Sequence, residues 1–180
     1  MSPARDRARR AAAFLAAVSL LALALRAVGL GSQPLIGDDA SVGRTAANFV
    51  EMGLPSPTMW NHPRLRDLLV SLSLAAFGDG PWGLKAWSVL LGALSVPATA
   101  WLVVEATGSR AAAGIAALLL AADPLHLDFS RQAINDVYLA FFPVAATAAI
   151  ARYRAARRPA WLAAAGLLLG LGIASQWSAA

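Results

Sequence analysis

"AAAFLAAVSLLALALRAVGLG" (residues 11–31) follows the basic run "RDRARR" (5–10). About 20 predominantly apolar residues cross a hydrocarbon core as a helix, so this stretch is long enough to span. Arg26, near its far end, is expected to snorkel to the interface. A cleaved signal peptide would look similar at this position. Further apolar runs at 86–104, 111–127, 137–151 and 160–175 favour a retained first helix instead. A soluble alanine-rich bundle would need polar stripes at helical spacing, and "AAAGIAALLLAA" (111–122) has none.

The bulk numbers agree. The chain of 180 residues is 58% hydrophobic and 14% charged, with a mean hydropathy of +0.59. Soluble domains carry about 25% charged residues. Without cysteine there is no disulfide and no thiolate metal site. The net charge of +5 comes from 15 bases against 10 acids, and 14 of those bases are arginine. They cluster at 5–10 and 152–158 without interleaved aromatics on one element, a pattern of membrane flanks rather than of a nucleic-acid face.

The arginines also set a topology. "LLVSLSLAAFG" (68–78) is too short to cross, at about 1.5 Å per residue. If it does not cross, Arg5–Arg10, Arg110 and "RYRAARR" (152–158) all fall on the cytoplasmic side. If it crossed, the last cluster would fall outside. The expected fold is therefore an all-α integral membrane protein, a polytopic helical bundle. It has a cytoplasmic tail at 1–10 and about five transmembrane helices, near 11–31, 84–104, 110–127, 136–152 and 159–177. Residues 32–83, with interfacial helices, and 124–136 form two loops outside the cytoplasm, and the membrane is the inner (plasma) membrane.

Most of the remaining polar residues fall in those loops. "IGDDASVGRTAANFVEMG" (36–53) opens with Asp38 and Asp39, which can raise each other's pKa, hold a divalent cation, or cap a short surface helix. "WNHPRLRDLL" (60–69) places His62 and Pro63 before the interfacial helix, with Arg64 and Arg66 read as facing phospholipid headgroups. In "DFSRQAIND" (128–136), Asp128 and Arg131 have the spacing of a helical pair, and Asn135 or Asp136 can cap the next helix. Arg131 and Asp136 lie about 140° apart on a helix, so they are read as pointing to a shared external partner. Beside a membrane, a forked guanidinium suits phosphate.

The order of these pieces resembles the protein O-mannosyltransferase group of GT-C glycosyltransferases, including bacterial relatives that take sugars from polyprenyl phosphate. That family carries an acidic pair after its first helix, matched by "DDASVG" (38–43) with Asp39 in place of Glu. Its His-Pro-Pro-Leu motif before a helix ending Phe-Gly is matched by "HPRLRDLLVSLSLAAFG" (62–78), with Arg64 for the second Pro. The small-residue helix "LKAWSVLLGALSVPATAWLV" (84–103) and "SRQAINDVYLAFF" (130–142) follow in order. "GLLLGLGIASQWSAA" (166–180) carries Gln176 where Lys is common.

The resemblance implies the N-terminal part of a longer membrane enzyme. Such an enzyme moves a sugar, with inversion, from a polyprenyl-phosphate donor to a protein, lipid or glycan acceptor outside the cytoplasm. It implies Asp38 as the general base and Asp39 as its partner acid. It places His62 near the donor, Arg131 on the lipid phosphate and Asp136 as a substrate or cation contact. No cofactor is certain; a divalent cation is one expectation and a metal requirement is unknown. The rival expectations are a transporter component and a non-catalytic lipid-handling protein.

Overall fold

A computed structural model describes residues 3–35, 37–52 and 65–175, and every regular element among them is helical. In chain order these are α1 (Pro3–Ala27), a single 3-10 turn (Leu30–Ser32), α2 (Asp38–Met52), α3 (Leu65–Phe77), α4 (Pro81–Thr107), α5 (Arg110–Ala122), α6 (Pro124–Phe129), α7 (Asp136–Ala156) and α8 (Pro159–Ser175).

The sequence sets where each helix stops. The first helix ends short of its apolar run because Gly29 takes a left-handed φ of 71° and the chain tightens into the 3-10 turn. The helix expected over 110–127 is two helices. Pro124 disfavours helical backbone at the residue before it, and Asp123 is extended, with ψ 117°. The Asp123 side chain then accepts from Leu125 N at 3.0 Å and starts α6 in a new direction. Helix α4 begins with Pro81 at its first turn and ends at Gly108, left-handed at φ 70°.

Helix α4 is the hub, packing against α1, α2, α3, α5, α6 and α7. Small side chains let the backbones approach closely on one side: Ala22 of α1, Ala100 of α4, and Ala113, Ala117 and Ala121 of α5 share one buried cluster. On the other side Leu91 of α4 packs with Val137, Tyr138 and Phe142 of α7 and with Leu168 and Leu171 of α8. Large apolar side chains point outward, among them Leu20 (67%), Leu119 (68%) and Leu167 (66% exposed). This is the polarity of a bundle whose solvent is lipid.

Among the described residues, two helical stretches are long and apolar enough to cross a membrane, Arg5–Ser32 and Pro81–Thr107. Helix α7, at 21 residues, covers about 31 Å. Helix α3 has 13 residues and covers about 20 Å. It does not lie alone on a surface, because it doubles back along α4 as a hairpin. The turn at Gly78–Gly80 is so tight that a Cβ on Gly83 would overlap the Gly78 carbonyl. Arg66, expected among headgroups, is only 4% exposed. Its Nε and Nη2 donate to Asp67 Oδ1 at 3.0 and 2.8 Å. Turning this pair inward keeps two charges off the apolar outer face.

The helices sort charge by end. Arg5, Arg7, Arg9 and Arg10 begin α1, Arg110 begins α5, and Arg152, Arg154, Arg157 and Arg158 close α7. Contacts between the α4 C-terminus, the α7 C-terminus and the α8 N-terminus bring these clusters to one end: Arg152 Nη1 lies 3.5 Å from Glu105 Oε1, and Trp101 packs against Trp161 with ring centres 5.6 Å apart and planes tilted by 57°. The opposite end gathers the C-terminus of α1, the starts of α2, α4 and α7, and all of α6. Gly92 of α4 lets α6 settle there, since a Cβ would overlap Ser130 and come 3.1 Å from Arg26 Nε. Gly92→Ala is therefore expected to lose about 1–3 kcal/mol of stability. Gly166→Ala, whose added methyl meets nothing, should lose none; thermal unfolding of both variants in detergent checks this.

Candidate functional site

The polar end is built around a buried ion pair. Lys85, the single lysine of the chain, reaches from α4 to Asp39 on the first turn of α2, Nζ to Oδ2 at 3.0 Å, with side chains 2% and 1% exposed. Asp39 Oδ1 accepts from the backbone N–H of Ala133 at 2.8 Å, and Lys85 Nζ reaches the Pro34 carbonyl at 3.5 Å. One carboxylate thus ties together α2, α4 and the segment between α6 and α7. Asp39 was expected to cap a surface helix or face a cation, but it is turned inward, and a cation there would have to displace the Lys85 ammonium. Among the described residues no three His, Asp or Glu side chains converge as a metal-ligand set. A cavity of about 270 Å³ opens beside this carboxylate, bordered by Gly43, Arg44 and Asp79.

Arg131 sits two residues before Ala133, so the same clamp carries it to the start of α2. Its Nη1 donates to the Leu25 carbonyl at 2.8 Å. With the Gln33 amide oriented to suit its neighbours, the Gln33 oxygen accepts from Arg131 Nε (2.9 Å) and Nη2 (3.0 Å), and its nitrogen donates to the Arg131 carbonyl at 3.2 Å. These bonds use three of the five guanidinium N–H groups, and both acceptors, the Leu25 carbonyl and the Gln33 oxygen, are neutral. The expected partner, Asp128, instead accepts from Gln132 Nε2 at 2.9 Å through its own Oδ2. Asp136 is exposed in the first turn of α7, where the helix dipole favours a carboxylate. The expected side-chain cap at Asn135 is not formed; Asn135 holds the N-cap position with helical backbone, φ −77° and ψ −20°. His62, Arg64, Gln176 and the Asp38 side chain lie outside the described residues. The backbone of Asp38 starts α2, next to Asp39.

A second buried cation lies below Arg131. Arg26 does not snorkel; it is 0% exposed. Its Nη1 donates to the Ala22 carbonyl at 2.9 Å, and its Nη2 lies 2.8 Å from His126 Nδ1. Because Arg26 has no lone pair to offer, Nδ1 accepts and the ring proton is placed on Nε2. Ser130 bonds back to the His126 carbonyl and closes α6. Burial, then the Arg26 charge, hold His126 below its usual 6.5, against a smaller upward pull from Asp123.

Sequence reasoning did not single out Lys85, Gln33, His126 or Ser130. The usable signal was Lys85 itself, the lone lysine set inside an otherwise apolar helix.

Replacing Lys85 by Met leaves Asp39 buried without its cation. It is expected to cost about 3–5 kcal/mol, whereas the Asp39→Asn, Lys85→Met double variant should recover most of that loss. Equal losses in the single and double variants, by unfolding in detergent, would contradict the clamp. For His126 the folded pKa is lowered, so the unfolded chain binds the extra proton below about pH 6.5. Stability is then full above that pH and falls as the pH drops beneath it. Melting temperatures across this range should show that fall in the native chain and a flatter curve in His126→Gln.

The family model for dolichyl-phosphate-mannose-protein mannosyltransferases matches residues 69–180. The polyprenol-phosphate-mannose–protein mannosyltransferases of two Mycobacterium tuberculosis strains are each 30% identical over 140 residues, covering 65% of this chain and 27% of the relative. The chain thus spans less than a third of the length of the curated relatives it matches. No solved structure matches it. With the match running over most of the chain and through α3 to α8, the chain belongs to the dolichyl-phosphate-mannose-protein mannosyltransferase family.

Proposed function

We propose that this chain forms the N-terminal part of a membrane mannosyltransferase. It takes mannose from a polyprenyl-phosphate carrier and passes it, with inversion, to a protein hydroxyl on the outer face of the plasma membrane. The observation that carries this reading is the Arg131 guanidinium. It is held at the polar end of the bundle by neutral acceptors only, beside the start of an acidic helix.

The leaving phosphate gains negative charge as the glycosidic bond breaks, and preorganised cationic donors lower that barrier. The two N–H groups left on Arg131 suit a phosphate oxygen. Asp38 is read as the base that takes the acceptor proton. Asp39, locked by Lys85, is read as fixing the backbone from which Asp38 projects. Asp136 and His62 complete the rim as substrate contacts. A protein acceptor is taken from the name of the mycobacterial relatives.

In this reading α1, α4, α5, α7 and α8 cross the bilayer, with the arginine-rich end in the cytoplasm. Helix α5 covers only about 20 Å with its 13 residues and relies on its flanks to complete the crossing.

In the full-length enzyme with a polyprenyl-phosphate-mannose donor, Asp38→Asn should abolish transfer at unchanged protein level. Normal turnover in that variant would remove Asp38 from the role of base. Arg131→Ala should lower kcat/KM for the donor by about 10²-fold or more, while an undiminished value would break the link between this guanidinium and the phosphate.

A further inference from the structure

The end of the bundle opposite the polar site carries a second feature. A cavity of about 620 Å³ lies between α1, α4 and α5, within the range of small-molecule sites, about 300–1,000 Å³. It is hollowed by small residues: Ala11 of α1, Ala100 of α4 and Gly114 of α5 line it, with Phe14 and Trp101 as its larger walls. The Phe14 ring lies 3.2 Å from where a Cβ on Gly114 would be. A charged residue, Arg110, also lines this otherwise apolar hollow and is exposed at its mouth.

The charge around the mouth is mainly positive. Arg5, Arg7, Arg9 and Arg10 are exposed on the first turns of α1, and Arg152 to Arg158 close α7 at the same end. The acids at this end are Asp6 and Glu105. Glu105 is already engaged, accepting from Trp101 Nε1 at 3.2 Å and lying 3.5 Å from Arg152. A further apolar helix would suit the alanine walls but bring no counter-charge to Arg110. A neutral lipid would fill the hollow and bring no counter-charge to Arg110. An acyl chain attached to an anionic headgroup satisfies both features at once.

We propose that this groove binds an anionic phospholipid, with an acyl chain between α1, α4 and α5 and its phosphate against Arg110. Trp101, held by Glu105, marks the depth at which headgroup gives way to chain, a usual station for tryptophan. The site lies apart from Asp38, Asp39 and Arg131, and the proposal does not depend on the transferase reading.

The test uses the full-length chain in nanodiscs, with photoactivatable phosphatidylglycerol and phosphatidylcholine as separate probes. Labelling of the peptide spanning residues 100–118 by the phosphatidylglycerol probe should exceed that by the phosphatidylcholine probe. Arg110→Gln should reduce that preference by about fivefold, as one interfacial charge does, and Arg110→Lys should retain it. Gly114→Leu, which fills the hollow, should lower labelling by both probes. Equal labelling by the two lipids, or a preference unmoved in Arg110→Gln, would overturn the proposal. So would a photoreactive residue at position 100 that cross-links to a later segment of the same chain or to a second copy, because protein would then occupy the groove.

Discussion

The buried pair between Asp39 and Lys85 is the constraint on which the polar end depends. It links α2, the helix that follows α1, to the hub helix, and through Ala133 to a segment 94 residues further along. A buried pair of this kind adds little net stability against an apolar substitute, because desolvation consumes most of the attraction. Its value lies in geometry. An ammonium and a carboxylate that both lack water hold only in one register, and a slip of either helix leaves both charges stranded. The apolar cluster of Val42, Ala46, Leu84 and Ala133 packs the same three segments together, and the ion pair fixes their register.

That fixing gives Arg131 its character. A guanidinium beside a free carboxylate would have its charge neutralised and its fork occupied. Here the carboxylates of Asp39 and Asp128 are directed elsewhere, to Lys85 and to Gln132. The Arg131 fork rests on a carbonyl and an amide. Such acceptors hold it in place and leave its charge intact. A guanidinium held on neutral acceptors is what the proposed phosphate contact calls for, and its supports come from the end of α1 and the segment before α2.

The sequence already showed most of the fold. Runs of apolar residues, the positions of Pro and Gly, and the sorting of arginine clusters gave the helices and the end at which each cluster lies. What it did not show follows from pairing at long range. Arg26 read as a snorkelling residue because nothing nearby in sequence answered its charge; its partner, His126, lies 100 residues away. Asp128 read as the partner of Arg131 because helical spacing permits it, yet the backbone leaves the helix after Phe129 and removes that geometry. Lys85 gave the clearest missed sign. An unaccompanied cation within an apolar helix requires a buried anion, and Asp38 or Asp39 was the acidic pair on offer. The match to the family came from the order of several weak motifs along the chain, each common by itself.

The Arg26–His126 contact sets a schedule for biosynthesis. Arg26 leaves the ribosome with the first helix, and His126 follows 100 residues later, which at about 5–20 residues per second is a delay of roughly 5–20 s. Through that interval the guanidinium has neither the imidazole nor the α6 cover that later excludes water from it. Until α6 is made, α1 lacks the contact that buries Arg26. Helix α1 is thus made long before the short α6 that locks it.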